Sequence, residues 1–143
     1  MYFTLLPLPA KKALIQYYVI EGDALAFEDI QRDDPPTQEQ WSKLLNRAHE
    51  LWCHDNYELQ TLNAEDAKAF VWENTPDLHD EYDSFEEYHS SYVAGGDIPE
   101  HPDSSWPVLA MPSCEEALVD GWHRFHSYVL AGVSSFHFIN LDK

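Results

Sequence analysis

The stretch Ala117 to Asp142, ALVDGWHRFHSYVLAGVSSFHFINLD, constrains the fold more than any other part of the chain. Strand, turn, helix and strand signals follow one another in it without a gap. Ala117-Leu118-Val119 is a short apolar run suited to a buried strand end. Asp120-Gly121 interrupts it, glycine being free to take backbone angles that a side chain forbids. From Trp122 the apolar spacing becomes helical, with Trp122, Phe125, Tyr128 and Val129 near three- and four-residue intervals. Gly132 is a natural left-handed stop for that helix. The segment from Phe136 then alternates, with Phe136, Phe138 and Asn140 on one face and His137, Ile139 and Leu141 on the other.

A strand that enters a helix through Asp-Gly leaves unpaired amides at the helix start. Those amides and the positive end of the helix dipole suit an anion such as a phosphate. Arg124 lies in that first turn, where a cation is unfavourable for the helix alone. It is the only Lys or Arg between Lys68 and Lys143. Two partners would explain it: a ligand anion, or a carboxylate of the protein itself.

The segment LVDGWHRFHSYVLAG, preceded by Trp106-Pro107-Val108-Leu109, resembles the core of the ParB/sulfiredoxin superfamily. Members carry a Pro-Ile/Val strand, a strand ending in Asp-Gly or Gly, and a helix opening with His-Arg or Arg-Arg. The resemblance implies that Gly121 is the turn glycine and that His123 and Arg124 contact a phosphate. Trp122 departs from the pattern. Sulfiredoxins have a nucleophilic Cys there, which argues against sulfinic-acid reduction. ParB partition proteins have Glu there and Arg in place of His123, which argues against CTP hydrolysis. The Asp-Gly-x-His-Arg form is closer to a small nucleotide-dependent branch that includes a free-serine kinase. A nucleotide with Mg²⁺ is the cofactor it implies.

With 143 residues the chain is expected to be one domain, residues 1–143, large enough to bury a core. Five Trp, eight Tyr and seven Phe are too many for a disordered acidic tail. The formal charge of −18 repels phosphate backbones, so direct nucleic-acid binding is not expected. A basic protein is a better electrostatic match. Cys53 and Cys114 are far apart and form no C-x-x-C pair. No secretory signal or transmembrane run stands out, so a cytoplasmic setting with free thiols is the default expectation.

Taken in order, residues 1–31 are expected to be β-rich. Tyr2 to Leu6 reads as a strand stopped by Pro7 and Pro9, and Ala13 to Ile20 as a longer aromatic and β-branched strand. Thr37 and Gln40 form a capping box before Trp41, Leu44, Leu45, Ala48, Leu51 and Trp52 on one helical face. A shorter helix follows Asn63 and stops before Thr75-Pro76. Ser84 and Glu87 are a second candidate box. Residues 69–123 hold 13 of the 26 acids and no Lys or Arg. If the resemblance holds, residues 69–105 are an acidic helical insertion before the Pro107 strand.

The expected fold is therefore α+β, a small mixed sheet with flanking helices, its ParB/sulfiredoxin-like core at the C-terminal end. Two functions stand open. In the first, a nucleotide or other phosphate ligand binds at Gly121, His123 and Arg124, with hydrolysis or phosphoryl transfer. Arg124 neutralises phosphate charge, and Asp120 is the nearest acid for a metal, Glu21 and Glu28 being more distant candidates. In the second, the protein is a non-enzymatic acidic inhibitor of the anti-restriction or anti-CRISPR type. Asp80, Glu81, Asp83, Glu86 and Glu87, interleaved with Tyr and Phe, then imitate nucleic acid before a basic DNA- or RNA-handling protein. His123 and His126 have a spacing that can hold zinc, but no H-E-x-x-H or Cys pair accompanies them. Cys53-His54 is no nucleophile pair, since neighbours on a helix do not face each other.

Overall fold

Residues 1–99 and 102–142 are described by a computed structural model of the chain. It separates into two compact units, Met1–Tyr57 and Glu58–Lys143. The first is helical. A 3₁₀ turn at Phe3–Leu5 precedes helix α1 (Leu8–Ile15), which runs directly into a π-helical stretch, Gln16–Glu21. A further 3₁₀ turn, Leu25–Phe27, precedes α2 (Gln38–Leu51).

The two strands expected in this unit are not formed. Tyr2 makes only an isolated bridge to Asn56, and Ala13 to Ile20 is helical. Proline explains part of the difference. Pro9 stands in the first turn of α1, where its missing N–H deprives no carbonyl of a bond. It therefore starts a helix as readily as it ends a strand. The rest is packing: Ala10, Ala13, Leu14, Ile15 and Val19 are all buried, and burial outweighs the modest β preference of the run.

Helix α2 begins as expected. The Thr37 hydroxyl accepts from the Gln40 amide at 3.2 Å, and the Gln40 side chain accepts from the Thr37 amide at 3.0 Å. Two otherwise orphaned donors are thus satisfied reciprocally. Leu44 and Ala48, one turn apart, are buried.

The second unit holds one mixed four-stranded sheet flanked by helices, the α+β arrangement expected. Its elements are β1 (Glu58–Asn63), α3 (Ala64–Glu73), α4 (Leu78–Glu81), α5 (Phe85–Ala94), β2 (Val108–Ala110), β3 (Leu118–Asp120), α6 (Trp122–Ala131) and β4 (Ser135–Asn140). The strand order is β1-β4-β2-β3. β4 pairs antiparallel with β1 and parallel with β2, and β2 pairs antiparallel with β3.

β1 was not anticipated. Its apolar residues, Leu59 and Leu62, are three apart, so no two-residue alternation advertises a strand. It forms because β4 offers a full antiparallel register, Glu58 opposite Asn140 to Asn63 opposite Ser135. Thr61 and His137 face each other there, hydroxyl to Nδ1, at 3.0 Å.

One core organises this unit. Phe125 and Tyr128 of α6 lie against Phe136 of β4, with ring centroids 5.6 and 5.5 Å apart and steeply inclined planes. Val108 and Ala110 of β2, Leu118 of β3 and Phe138 of β4 complete the sheet side. Residues 69–105, expected as an insertion, supply Val71, Phe85 and Tyr88 to the same core. The Asn63 side chain caps α3, accepting from the Asp66 amide at 2.8 Å. Ser84 caps α5 through the Glu87 amide, while the Glu87 carboxylate accepts from Asp83, one residue before the cap.

Thr37→Ala removes one arm of the α2 box and should lower unfolding stability by about 1 kcal/mol. Urea denaturation would show it as an earlier midpoint at unchanged slope.

Candidate functional site

The site forms where β3 gives way to α6. Gly121 takes φ +92°, a left-handed conformation that turns the chain sharply after Asp120. Space also demands glycine here. A Cβ at Gly121 would stand 3.0 Å from both Val108 Cγ1 and Arg124 Nη2. The helix starts with the Phe125 amide bonded to the Gly121 carbonyl at 2.8 Å. Gly121 brings no side-chain cap, so it offers no acceptor to the amides of the first turn.

Arg124 folds back over this turn. Its Nη2 donates to the Pro107 carbonyl at 3.1 Å and to Asp120 Oδ2 at a longer 3.4 Å. The guanidinium carbon lies 5.7 Å from the centre of the Trp106 ring, within reach of a cation–π attraction. Nε is buried with no hydrogen-bond partner. Of the two partners that would explain this arginine, the one present is a carboxylate of its own chain, Asp120. Its donors are nonetheless incompletely used.

A cavity of about 220 Å³ adjoins it, with Pro99, Trp106, His123, Arg124 and Tyr128 in its wall. The Tyr128 hydroxyl donates to the carbonyls of Trp106 and Asp103, at 2.7 and 3.0 Å, which ties the wall to α6. Burial pushes that phenol up to about 12, so it remains a donor. Ser127 anchors Pro99 in the same way, hydroxyl to carbonyl.

Asp120, Gly121 and Arg124 meet at this joint and His123 lines the cavity beside it, but two of the four are already engaged. Asp120 is engaged by Arg124 and half-buried, so its first role is to hold the guanidinium. His123 is exposed and turned toward α5, where its Nδ1 meets the Tyr92 hydroxyl at 2.6 Å. Glu21 and Glu28 belong to the first unit and are exposed. Asp80, Glu81, Asp83, Glu86 and Glu87 are all exposed on α4, the turn after it and the start of α5. Among the described residues only Glu86 of these faces a cation, Lys68 at 3.8 Å.

The seam between α5 and α6 was not anticipated. His126 is fully buried, and both its nitrogens are committed: Nδ1 to His89 Nδ1 at 2.8 Å and Nε2 to the Tyr88 hydroxyl at 3.0 Å. Tyr92 stacks on His126 with centroids 3.8 Å apart. No group of three or more potential metal ligands is formed among the described residues. His89, Tyr88 and Tyr92 carry no motif linking them to His126. The one available hint was helical spacing, Tyr88 and Tyr92 being four apart.

No family model matches the chain, and neither does any curated protein or any solved structure.

The seam makes stability depend on pH. Burial, with His89 and His123 adding to it, holds the His126 imidazole down at about 3. His89 is lowered as well, by burial above all; Glu86 opposes this and Lys68 reinforces it. In the unfolded chain these histidines titrate near ~6.5. Below that pH the unfolded state binds protons that the folded state refuses, so stability is present above ~6.5 and lost as pH falls. Urea denaturation from pH 7 down to 4 should show the loss, with a shallower slope for His126→Leu.

Proposed function

We propose that the protein binds a nucleotide, or another small phosphate-bearing ligand, in the cavity beside Arg124. The observation that carries this is the guanidinium of Arg124 beside the cavity: Nη2 makes its hydrogen bonds, and Nε, buried within the protein, has no partner. An unsatisfied buried donor is costly, and an anionic oxygen is the partner that a guanidinium binds best. The uncapped start of α6 adds amides and a favourable dipole. Trp106 and Tyr128 offer ring surface for the apolar part of such a ligand. The Asp-Gly-x-His-Arg segment, similar to the nucleotide-dependent branch of the ParB/sulfiredoxin superfamily, supports the same assignment.

Each residue has a distinct part. Arg124 neutralises phosphate charge, Asp120 keeps the guanidinium oriented, Gly121 allows close backbone approach, and His123 lies on the rim. Magnesium bound by a nucleotide's own phosphates needs only one or two protein carboxylates. Asp120 fits that part only by sharing its charge with Arg124. Binding is the core of the proposal, and hydrolysis or phosphoryl transfer is the chemistry that the same groups could support.

A second function is favoured by the charge distribution. The second unit contains seventeen Asp and Glu against Lys68, Arg124 and Lys143. Lys68 and Arg124 are already in ion pairs with Glu65, Glu86 and Asp120. The exposed carboxylates around Asp80, Glu81, Asp83 and Glu87 are left without countercharge among the described residues. Such a face suits a basic nucleic-acid-handling protein, which it would block by occupying the groove meant for phosphates.

Thermal melting separates the two. ATP, ADP or CTP with magnesium should raise the melting temperature of the wild type. Arg124→Ala should abolish that shift, measured from its own unliganded melting point, and Arg124→Lys should restore little of it. For the acidic face, retention on a polylysine matrix should fall with salt. It should fall further when Asp80, Glu81, Asp83, Glu86 and Glu87 are changed to Asn or Gln, and be unaffected by Arg124→Ala.

A further inference from the structure

A second cavity, of about 340 Å³, lies on the other side of His123. Three tyrosines line it, Tyr82, Tyr88 and Tyr92, together with Gly95, Gly96 and His123. Tyr88 packs between the other two, with ring centroids 5.5 Å from Tyr82 and 6.1 Å from Tyr92. All three hydroxyls are occupied. Tyr82 donates to Ser91 at 3.3 Å, Tyr88 is bonded to His126 at 3.0 Å, and Tyr92 to His123 at 2.6 Å. What the tyrosines have left to offer a ligand is ring surface. Burial raises the pKa of Tyr88 and Tyr92, which keeps both rings uncharged.

The charges around this cavity differ from those beside Arg124, where Arg124 and Asp103 both line the wall. No Lys or Arg lines the tyrosine cavity. Exposed Glu81 and Asp83 flank Tyr82 in the chain, and exposed Asp97 follows Gly96. Carboxylates so near in the chain disfavour a phosphate here, whereas a cation would be attracted by them and by the electron-rich faces of the rings. At the Gly95-Gly96 end, a Cβ on Gly96 would meet nothing within 4 Å, so this part of the lining is uncrowded.

We propose that the Tyr82–Tyr88–Tyr92 cavity is an aromatic receptor for an arginine side chain presented by a basic partner protein. Arginine fits better than lysine because its guanidinium is planar, weakly hydrated and stacks on aromatic faces. The inference rests on the second function above and deepens it. Charge alone would hold a basic partner loosely and in many orientations, while a side chain lodged among the tyrosines fixes one.

Isothermal titration of the full chain with a short arginine-rich peptide, at about 0.15 M salt to screen diffuse attraction, provides the test. The wild type should bind the arginine peptide more tightly than its lysine counterpart. Tyr82→Ala should weaken arginine binding about tenfold, while Tyr82→Phe, which keeps the ring and loses the bond to Ser91, should bind like the wild type. Equal binding by wild type and Tyr82→Ala, or equal loss in Tyr82→Phe, overturns the receptor. So does an absence of preference for arginine over lysine. In each case salt-sensitive binding that persists leaves the acidic face standing, and no binding of either peptide by the wild type removes both.

Discussion

The second unit depends on one close approach, that of the chain at Gly121 to Val108 beneath it and to the Arg124 guanidinium beside it. The left-handed turn lets β3 end and α6 begin within a single residue. It also brings the start of α6 down onto β2, so that Phe125 and Tyr128 reach Phe136 across the sheet. Any side chain at Gly121 would have to displace Val108 or the guanidinium, besides adopting a backbone angle that L-residues disfavour. The turn, the core and the placement of Arg124 are therefore one constraint.

From that constraint the two cavities follow. α6 presents Arg124 toward Trp106 and the Pro99 side, and His123 and His126 toward α5. The first side has Arg124, Asp103 and aromatic walls. The second has tyrosine rings and acidic neighbours. His123 belongs to both cavity walls. A single helix thus borders two cavities of different lining. His126 faces α5, and its burial is tolerated because both of its nitrogens are hydrogen-bonded.

The legible parts of the chain were those written in local chemistry. The Thr37–Gln40 box, the Asn63 cap and the two glycines bounding α6 each act through residues no more than a few positions apart. The candidate anion site was legible for the same reason, because Asp120, Gly121, His123 and Arg124 lie within five consecutive positions. In the N-terminal run local preference and burial disagree: Tyr17, Tyr18, Val19 and Ile20 favour strands singly, yet they continue a helix. β1 was invisible because a polar edge strand owes its existence to its partner rather than to its own pattern.

Sequence alone, then, determined the strand–glycine–helix joint, the helix caps and the acidic character, since backbone conformation and net charge depend on residue identity and near neighbours. Tertiary structure decided what Arg124 touches, that His126 is sealed against His89 and Tyr88, and that three tyrosines share one cavity. Those outcomes required α5 and Pro107, just ahead of β2, to close on α6 from 17 to 38 residues away in the chain. Contacts over such separations are set by the packing of whole elements around a common core, which no local pattern of residues encodes.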